Sequence, residues 1–471
     1  MSNPSDITII KGLRFARAER YRRPTAVDAD LDRIDTGSYG PQCPQMLGIM
    51  EQMLGQSSLA SDEDCFFLNV FTPRRDGARR PVMVWVHGGA YTNGTGSTPW
   101  YHGASLARRH DAVVVTINYR LGAFGFAHLA EHGGDEFEDS GNLGILDQVE
   151  ALRWVQRNIE RFGGDPTNVT VFGESAGGSG VLTLMASPLA TGLFHRVIAL
   201  SPSMNQLRSR ARAHEAAGEL LAAAGVDAHG LRSASAERIL EAQTALLRSG
   251  SGSFTGFAPT PGEPSLPEPV PVAAARNPVP LLIGTTRDEM LLFTSLDPQY
   301  GNMDDSALRT FAESRFGDAA DDAIRAYREH RPDYTTPGAI AAAILTDEAF
   351  RSGATRLAEE RARNGHPTWM HWFTWETPQF DGVLKSCHAL DIPFVFHNLD
   401  RNGVEAFTGN APERERLADF FSGAVARFAR DADPGWGAYD LEHRATMRID
   451  LEPELMHDPE PDLRRLWNRG N

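Results

Sequence analysis

Cysteine, lysine and long apolar runs are all scarce in this sequence, and each shortage excludes something. Three cysteines in 471 residues, Cys43, Cys65 and Cys387, do not make a disulfide scaffold, and their spacing is not that of a zinc site. No apolar run approaches the length of a membrane span. Residues 1–10 lack the charged and apolar segments of a secretory leader, so a cytoplasmic protein is expected. Lysine is nearly absent and arginine supplies the cations, which we read as compositional bias. The formal net charge is −16, which argues against nucleic acid or an anionic membrane as partner. No internal repeat or long low-complexity tract is present. What the chain does have is 41% hydrophobic residues, ample for a substantial core.

Residues 1–60 read as polar and loop-like, with Arg14, Arg17, Arg20, Arg22 and Arg23 forming a solvated face. Strand patterns appear at 66–72 and 82–86, and the charged residues 74–77 between them suggest a hairpin-type connection. The β-branched run 113–118 reads as a buried parallel strand, and 143–162 has the apolar spacing of a helix, stopped by Gly163-Gly164-Asp165-Pro166. Strands at 169–172 and 197–200 bracket another helix. This alternation predicts an α/β protein with a parallel, doubly wound sheet. Farther on, 205–250 reads as Ala-rich helices, 251–280 as Gly/Pro-rich loop, 279–283 as a core strand and 304–365 as helical. A strand at 368–375 precedes the last clear helix, 413–430, whose Leu417, Phe420, Phe421, Val425 and Phe428 share one face.

The chemistry centres on Gly173-Glu-Ser175-Ala-Gly177. In a chain with 44 glycines such a pentapeptide arises readily by chance, but here an apolar strand precedes it and a helical run comes after. That order is what a nucleophile elbow requires, where an ordinary Gly/Ser turn would need no such context: the turn would strain and expose Ser175 at a helix N-terminus, and the two glycines would let strand and helix cross closely. A serine hydroxyl needs a base to take its proton and an acid to orient that base, and on this scaffold they come in the order acid, then histidine. Of 15 histidines, His388 lies in a loop after the 368–375 strand; His397 is the nearest rival, and His366 and His371 are weaker. For the acid, the strand at 281–284 runs into a loop with adjacent Asp288 and Glu289, and residue chemistry does not choose between them. The strand at 82–86 runs into His87-Gly-Gly-Ala90, whose backbone N–H groups suit an oxyanion hole.

These motifs, together with Glu63-Asp-Cys-Phe-Phe-Leu-Asn-Val70, Asn118-Tyr-Arg-Leu-Gly122, Ser140-Gly-Asn-Leu-Gly-Ile-Leu-Asp-Gln148, Gly284-Thr-Thr-Arg-Asp-Glu289 and His388-Ala-Leu-Asp-Ile-Pro-Phe-Val-Phe396, occur in family order over most of the chain. The chain resembles the type B carboxylesterases of the α/β-hydrolase fold, the group that includes the cholinesterases, with its nearest likeness among bacterial para-nitrobenzyl esterases. The resemblance implies one α/β-hydrolase catalytic domain over residues 1–471, with a large, mostly parallel sheet flanked by helices and cap insertions near 205–275 and 300–365. It implies Ser175 as nucleophile, Glu289 as acid and His388 as base, and the N–H groups of Gly89, Ala90 and Ala176 as oxyanion donors. Two residues depart from the family pattern. Asp391 stands in place of the usual Glu, where it would tune a pocket edge, and Met290 replaces a Gly, which would crowd the acid loop. The family also implies that Cys43 and Cys65 occupy the places of a disulfide pair, which a reducing cytosol would leave as thiols.

The expected activity is hydrolysis of small neutral carboxylic esters through an acyl-enzyme, with no metal or organic cofactor and a monomer or weak dimer as the working unit. Tyr91, Trp100, Tyr101 and Phe124 lie on early loops near the expected gorge, and Lys385, the cation nearest His388 in sequence, is expected in solvent. His388 is expected to titrate near neutrality. Two other readings share the sequence: a carbamate or amide hydrolase using the same triad, and a non-catalytic, cholinesterase-like binding protein. The presence of Ser175, Glu289 and His388 together speaks against the second.

Overall fold

The computed structural model describes residues 7–27, 37–46, 59–204, 209–248 and 256–468. Its frame is a ten-stranded sheet built from β1 (Thr8–Arg14), β2 (Phe67–Thr72), β3 (Arg80–Val86), β4 (Val113–Ile117), β5 (Gly164–Glu174), β6 (Arg196–Leu200), β7 (Leu281–Thr286), β8 (Thr368–Phe373), β9 (Ala445–Ile449) and β10 (Glu454–His457). The spatial order is β1-β2-β4-β3-β5-β6-β7-β8-β9-β10. Every pairing from β4 to β9 is parallel. The edge pairings, β1 with β2, β2 with β4 and β9 with β10, are antiparallel.

Parallel strands must be covered on both faces, and the period of two in β3 makes this visible. Val82, Val84 and Val86 point into one core, shared with α1 (Leu143–Asn158) and α2 (Ala176–Ala186). Met83 and Trp85 point into the other, where α3 (Arg414–Asp431) contributes Leu417, Phe421, Val425 and Phe428. A third apolar cluster joins the helices Asp305–Phe316, Ala320–His330 and Pro337–Thr346 to the helix Pro461–Trp467.

Four readings of the sequence are corrected. First, β2 and β3 are not a hairpin, because β4 lies between them. Strand β3 is apolar on both faces and takes a central place, which the charged residues 74–77 could not report. Second, the N-terminal region holds β1, whose alternation is broken by an irregular register between Ile10 and Leu13, where Gly12 has φ +65°. Third, the arginine cluster is largely engaged. Arg20 donates to Glu63 and to the carbonyl of Leu231, while Arg14, Arg22 and Arg23 pair with Asp64, Glu136 and Asp139. Fourth, 251–280 includes the helix Val270–Arg276, and β9, β10 and a further helix come after α3. Residues 205–208 of the expected Ala-rich helices, and 249–255 at the junction with the Gly/Pro-rich loop, lie outside the described residues.

Candidate active site

The turn from β5 into α2 has little freedom. Ser175 has φ 57° and ψ −122°, a conformation costly for a residue with a Cβ. Its N–H donates to the Leu200 carbonyl at 2.9 Å and its own carbonyl accepts from Ser179 N–H at 2.9 Å, so neighbouring β6 and α2 hold the strain. The glycines act as their spacing predicts: a Cβ on Gly173 would lie 2.5 Å from the Gly177 backbone, and one on Gly177 would overlap the Val86 carbonyl oxygen. Ser175 is 7% exposed at this crossing.

Beyond β3 the chain turns through Gly89, Ala90 and Tyr91, all at positive φ. The His87 ring stacks on Tyr119 at 4.4 Å, and the Tyr119 hydroxyl donates to the His87 carbonyl at 2.7 Å. Burial lowers the His87 pKa to about 4, so this ring is a neutral prop under the loop. Gly88 lies against Glu174 and Ser175, where any Cβ would meet the Glu174 carbonyl oxygen at 2.8 Å. The loop therefore runs beside the serine turn.

The adjacent carboxylates after β7 separate cleanly. Glu289 is fully buried; one oxygen accepts the Thr286 N–H at 2.8 Å and the other accepts His388 Nδ1 at 2.5 Å. Asp288 turns away to the Ser386 N–H, Arg287 and the Tyr334 hydroxyl. Among the candidate histidines only His388 is bonded to this loop. His397 sits beyond the helix Ile392–Phe396 and pairs with Asp419 of α3 at 2.9 Å. His371 is in β8, its ring against Phe421, and His366 lies in the turn before that strand.

His388 Nε2 faces Glu174 Oε1 at 3.1 Å, a charge contact without hydrogen-bond geometry. Asp391 is fully buried with neither carboxylate oxygen bonded. It is electrostatically coupled to Glu174, Glu289 and His388. Burial, then the charges of Glu174 and Glu289, push its carboxyl well above the usual range. Burial likewise pushes Glu174 to about 7. For His388 burial works against the charged ring, but Glu174, Glu289 and the short hydrogen bond outweigh it and raise the pKa to about 9. The near-neutral titration expected from sequence is therefore corrected upward.

Phe293 and Phe350 complete the surroundings, with ring centroids 5.4 and 4.9 Å from His388. The aromatic residues on the early loops are buried in the core clusters. Trp100 packs on Phe407, Tyr101 on Trp85, Tyr91 on Phe126, and Phe124 lies under Arg20. Lys385 is not free in solvent, since it pairs with Asp333 and Glu376 at its own loop. Met290 packs against the helical cluster, and its N–H donates to Thr346 Oγ1 at 3.0 Å. Cys43 and Cys65 are neighbouring buried thiols; the hydrogen bond to Cys43, then burial, push the Cys65 thiol well above its usual value. A separate cleft of about 40 Å³, lined by Trp372, Tyr439 and Arg444 among others, includes neither Ser175 nor His388. Among the described residues no group of His, Cys, Asp and Glu is arranged to hold a metal ion, and no helix is long and apolar enough to cross a membrane.

With this geometry in place, comparison with known proteins is decisive. Residues 2–464 match the carboxylesterase family. The chain belongs to that family, and it is a carboxylic ester hydrolase. It is 34% identical to the para-nitrobenzyl esterase of Bacillus subtilis (strain 168) over 97% of its own length and 94% of that protein. It is also 34% identical to a phenmedipham hydrolase of Pseudarthrobacter oxydans, over 85% of this chain and 80% of that one. The crystal structure of a Geobacillus stearothermophilus carboxylesterase superposes with a TM-score of 0.87 at 38% identity, covering 98% of this chain and 96% of that chain. A thermophilic PNB esterase gives 0.84 at 33% identity, covering 98% and 96%. The carboxylesterase sheet described above is thus the mostly parallel sheet of the α/β-hydrolase fold.

Proposed function

We propose that this carboxylesterase hydrolyses small neutral esters through an acyl-enzyme on Ser175, with His388 as base and Glu289 as its orienting acid. The observation that carries the reading is the 2.5 Å bond from His388 Nδ1 to buried Glu289, which fixes the tautomer that leaves Nε2 free to take a proton. Nε2 faces Glu174, the residue before Ser175 in the chain, which sets the proposed base at the end of β5 beside the serine turn. Ser175 Oγ then attacks the ester carbonyl while Nε2 takes its proton. The N–H groups of Gly89, Ala90 and Ala176 hold the oxyanion, and the proton passes to the leaving alcohol. Water repeats the sequence on the acyl-enzyme, releasing the acid and regenerating Ser175. Phe293 and Phe350 flank His388, an apolar surround that desolvates a neutral ester more cheaply than an anionic one.

Ser175→Ala should abolish hydrolysis of para-nitrophenyl esters, and an organophosphate should label the wild type once, on the peptide containing Ser175. Label on another residue, or near-normal activity in the variant, removes Ser175 from the mechanism. The relative named for phenmedipham hydrolysis supports a second reading, carbamate hydrolysis at the same triad. Turnover of an ester beside its matched carbamate and amide separates the two.

A further inference from the structure

The long helical stretch beneath the acid loop is not uniform. Helix Pro337–Thr346 passes into helix Ser352–Arg363 through a π-helical turn, Asp347–Arg351. Such turns insert a residue, rotate the helix beyond them, and are retained mainly where a side chain must be aimed. Here two side chains on or beside the turn reach both partners of the proposed base. Phe350, 3% exposed, places its ring 4.9 Å from the His388 ring at an interplanar angle of 40°. Thr346, immediately before the turn, accepts the N–H of Met290, the residue after Glu289, at 3.0 Å. The turn is braced from outside: buried Asp347 accepts the Tyr327 hydroxyl at 2.7 Å, and Arg351 donates to Glu460 at 2.7 Å while lying 3.8 Å over Trp372.

We propose that this π turn is a positioning element for catalysis, with Phe350 holding the His388 imidazole and Thr346 holding the Glu289 loop. The proposal rests on the Ser175–His388–Glu289 reading above. The need for such an element is physical. His388 has a carboxylate at each ring nitrogen, Glu289 at 2.5 Å and Glu174 at 3.1 Å, so a further polar support would perturb the charges that set its proton. Proton transfer needs the ring held in one plane, and dispersion contact with a fixed aromatic ring limits its tilt without adding charge. Thr346 acts on the other side of the same bond. Met290 occupies a position where a glycine would leave the loop looser, and its anchored N–H fixes the chain where it leaves Glu289.

The test uses the full chain and four variants. Phe350→Leu keeps most of the volume and loses the ring; Thr346→Val keeps the shape and loses the acceptor. Each should lower kcat by about tenfold or more with KM changed by less than about threefold, the pattern of a misplaced catalytic group. Thr346→Ser, which restores the acceptor, should return kcat to within about twofold of wild type. The Phe350→Leu loss should be the same factor for para-nitrophenyl acetate, butyrate and hexanoate. The proton of the His388–Glu289 bond should give a deshielded NMR resonance in the wild type and a broader one in both variants. Unchanged kcat in both, or a Phe350→Leu loss that scales with acyl length, overturns the positioning role, the latter making Phe350 a pocket wall. His388→Ala separates this from the underlying reading: if it stays active the triad itself is wrong, whereas an inactive His388→Ala beside unaffected Phe350 and Thr346 variants sinks only the π-turn proposal.

Discussion

Two buried charged regions of this carboxylesterase are built on opposite terms. Arg361 is fully buried with no carboxylate partner among the described residues, yet its guanidinium is satisfied. It donates to Thr368 Oγ1 at 2.9 Å and to the carbonyls of Ala274, Asn277 and Val279 at 2.7 Å each. Burial lowers its pKa only to about 10, so it remains a cation at neutral pH. Around His388 the polar groups are under-satisfied among the described residues: Asp391 has neither oxygen bonded, Glu174 Oε1 has no hydrogen bond, and the strained Ser175 follows Glu174 directly in the chain. A buried charge that completes its hydrogen bonds clamps the chain and does nothing else. Polar groups left incomplete beside a strained turn break the local rules of good folding, and functional sites are where such breaks are expected.

The sharpest break in that comparison lies between the neighbouring carboxylates. Glu289→Gln should cost about 10³-fold or more in kcat, because an amide cannot stabilise the imidazolium, while Asp288→Asn should be mild in kcat. Steady-state kinetics on one ester decides it, and the reverse ranking would move the acid to Asp288. Next in size is Arg361→Met, which leaves several buried carbonyls without a donor. It should destabilise the fold by about 3 kcal/mol while kcat of the folded fraction stays near wild type, measured by denaturant unfolding beside active-site titration. A large kcat loss without destabilisation would erase the distinction between the two regions.

The smallest effect concerns pH. With His388 raised to about 9, kcat/KM should climb on an alkaline limb as the ring loses its proton. Glu174→Gln removes one of the charges that favour the imidazolium, so the limb should move to lower pH; an unmoved limb means that Glu174 does not act on the ring. The same shift affects stability. A group raised from 6.5 to about 9 on folding contributes fully below pH 6.5, and that contribution is lost as pH rises through 9. His388→Gln should flatten the decline, as thermal unfolding across that range would record.

Much of the fold was legible because the central strands are uniformly apolar and the helices carry a regular stripe. β4 buries all five residues, and α3 faces its core with the residues its spacing predicts. The edges were not legible. β1 is interrupted at Gly12 and β10 is mostly exposed, so neither carries a pattern that separates strand from loop. The hairpin misreading has the same root, since turn chemistry at 74–77 is local and strand order is not.

The sequence by itself determined the serine turn, the glycine crossing beneath it, the His-Gly-Gly-Ala loop and the order of acid and histidine along the chain, because each depends on residues close together or on their order alone. Residue chemistry could not choose between Asp288 and Glu289, and it missed Glu174, Phe293, Phe350 and the burial of Asp391. Those depend on which loops meet: the end of β5, the loop after β7, the π turn and the loop after β8 are separated by long stretches of chain and converge only when the sheet is assembled. Burial and charge crowding arise at that convergence, so the environment of His388 was decided by the tertiary structure alone.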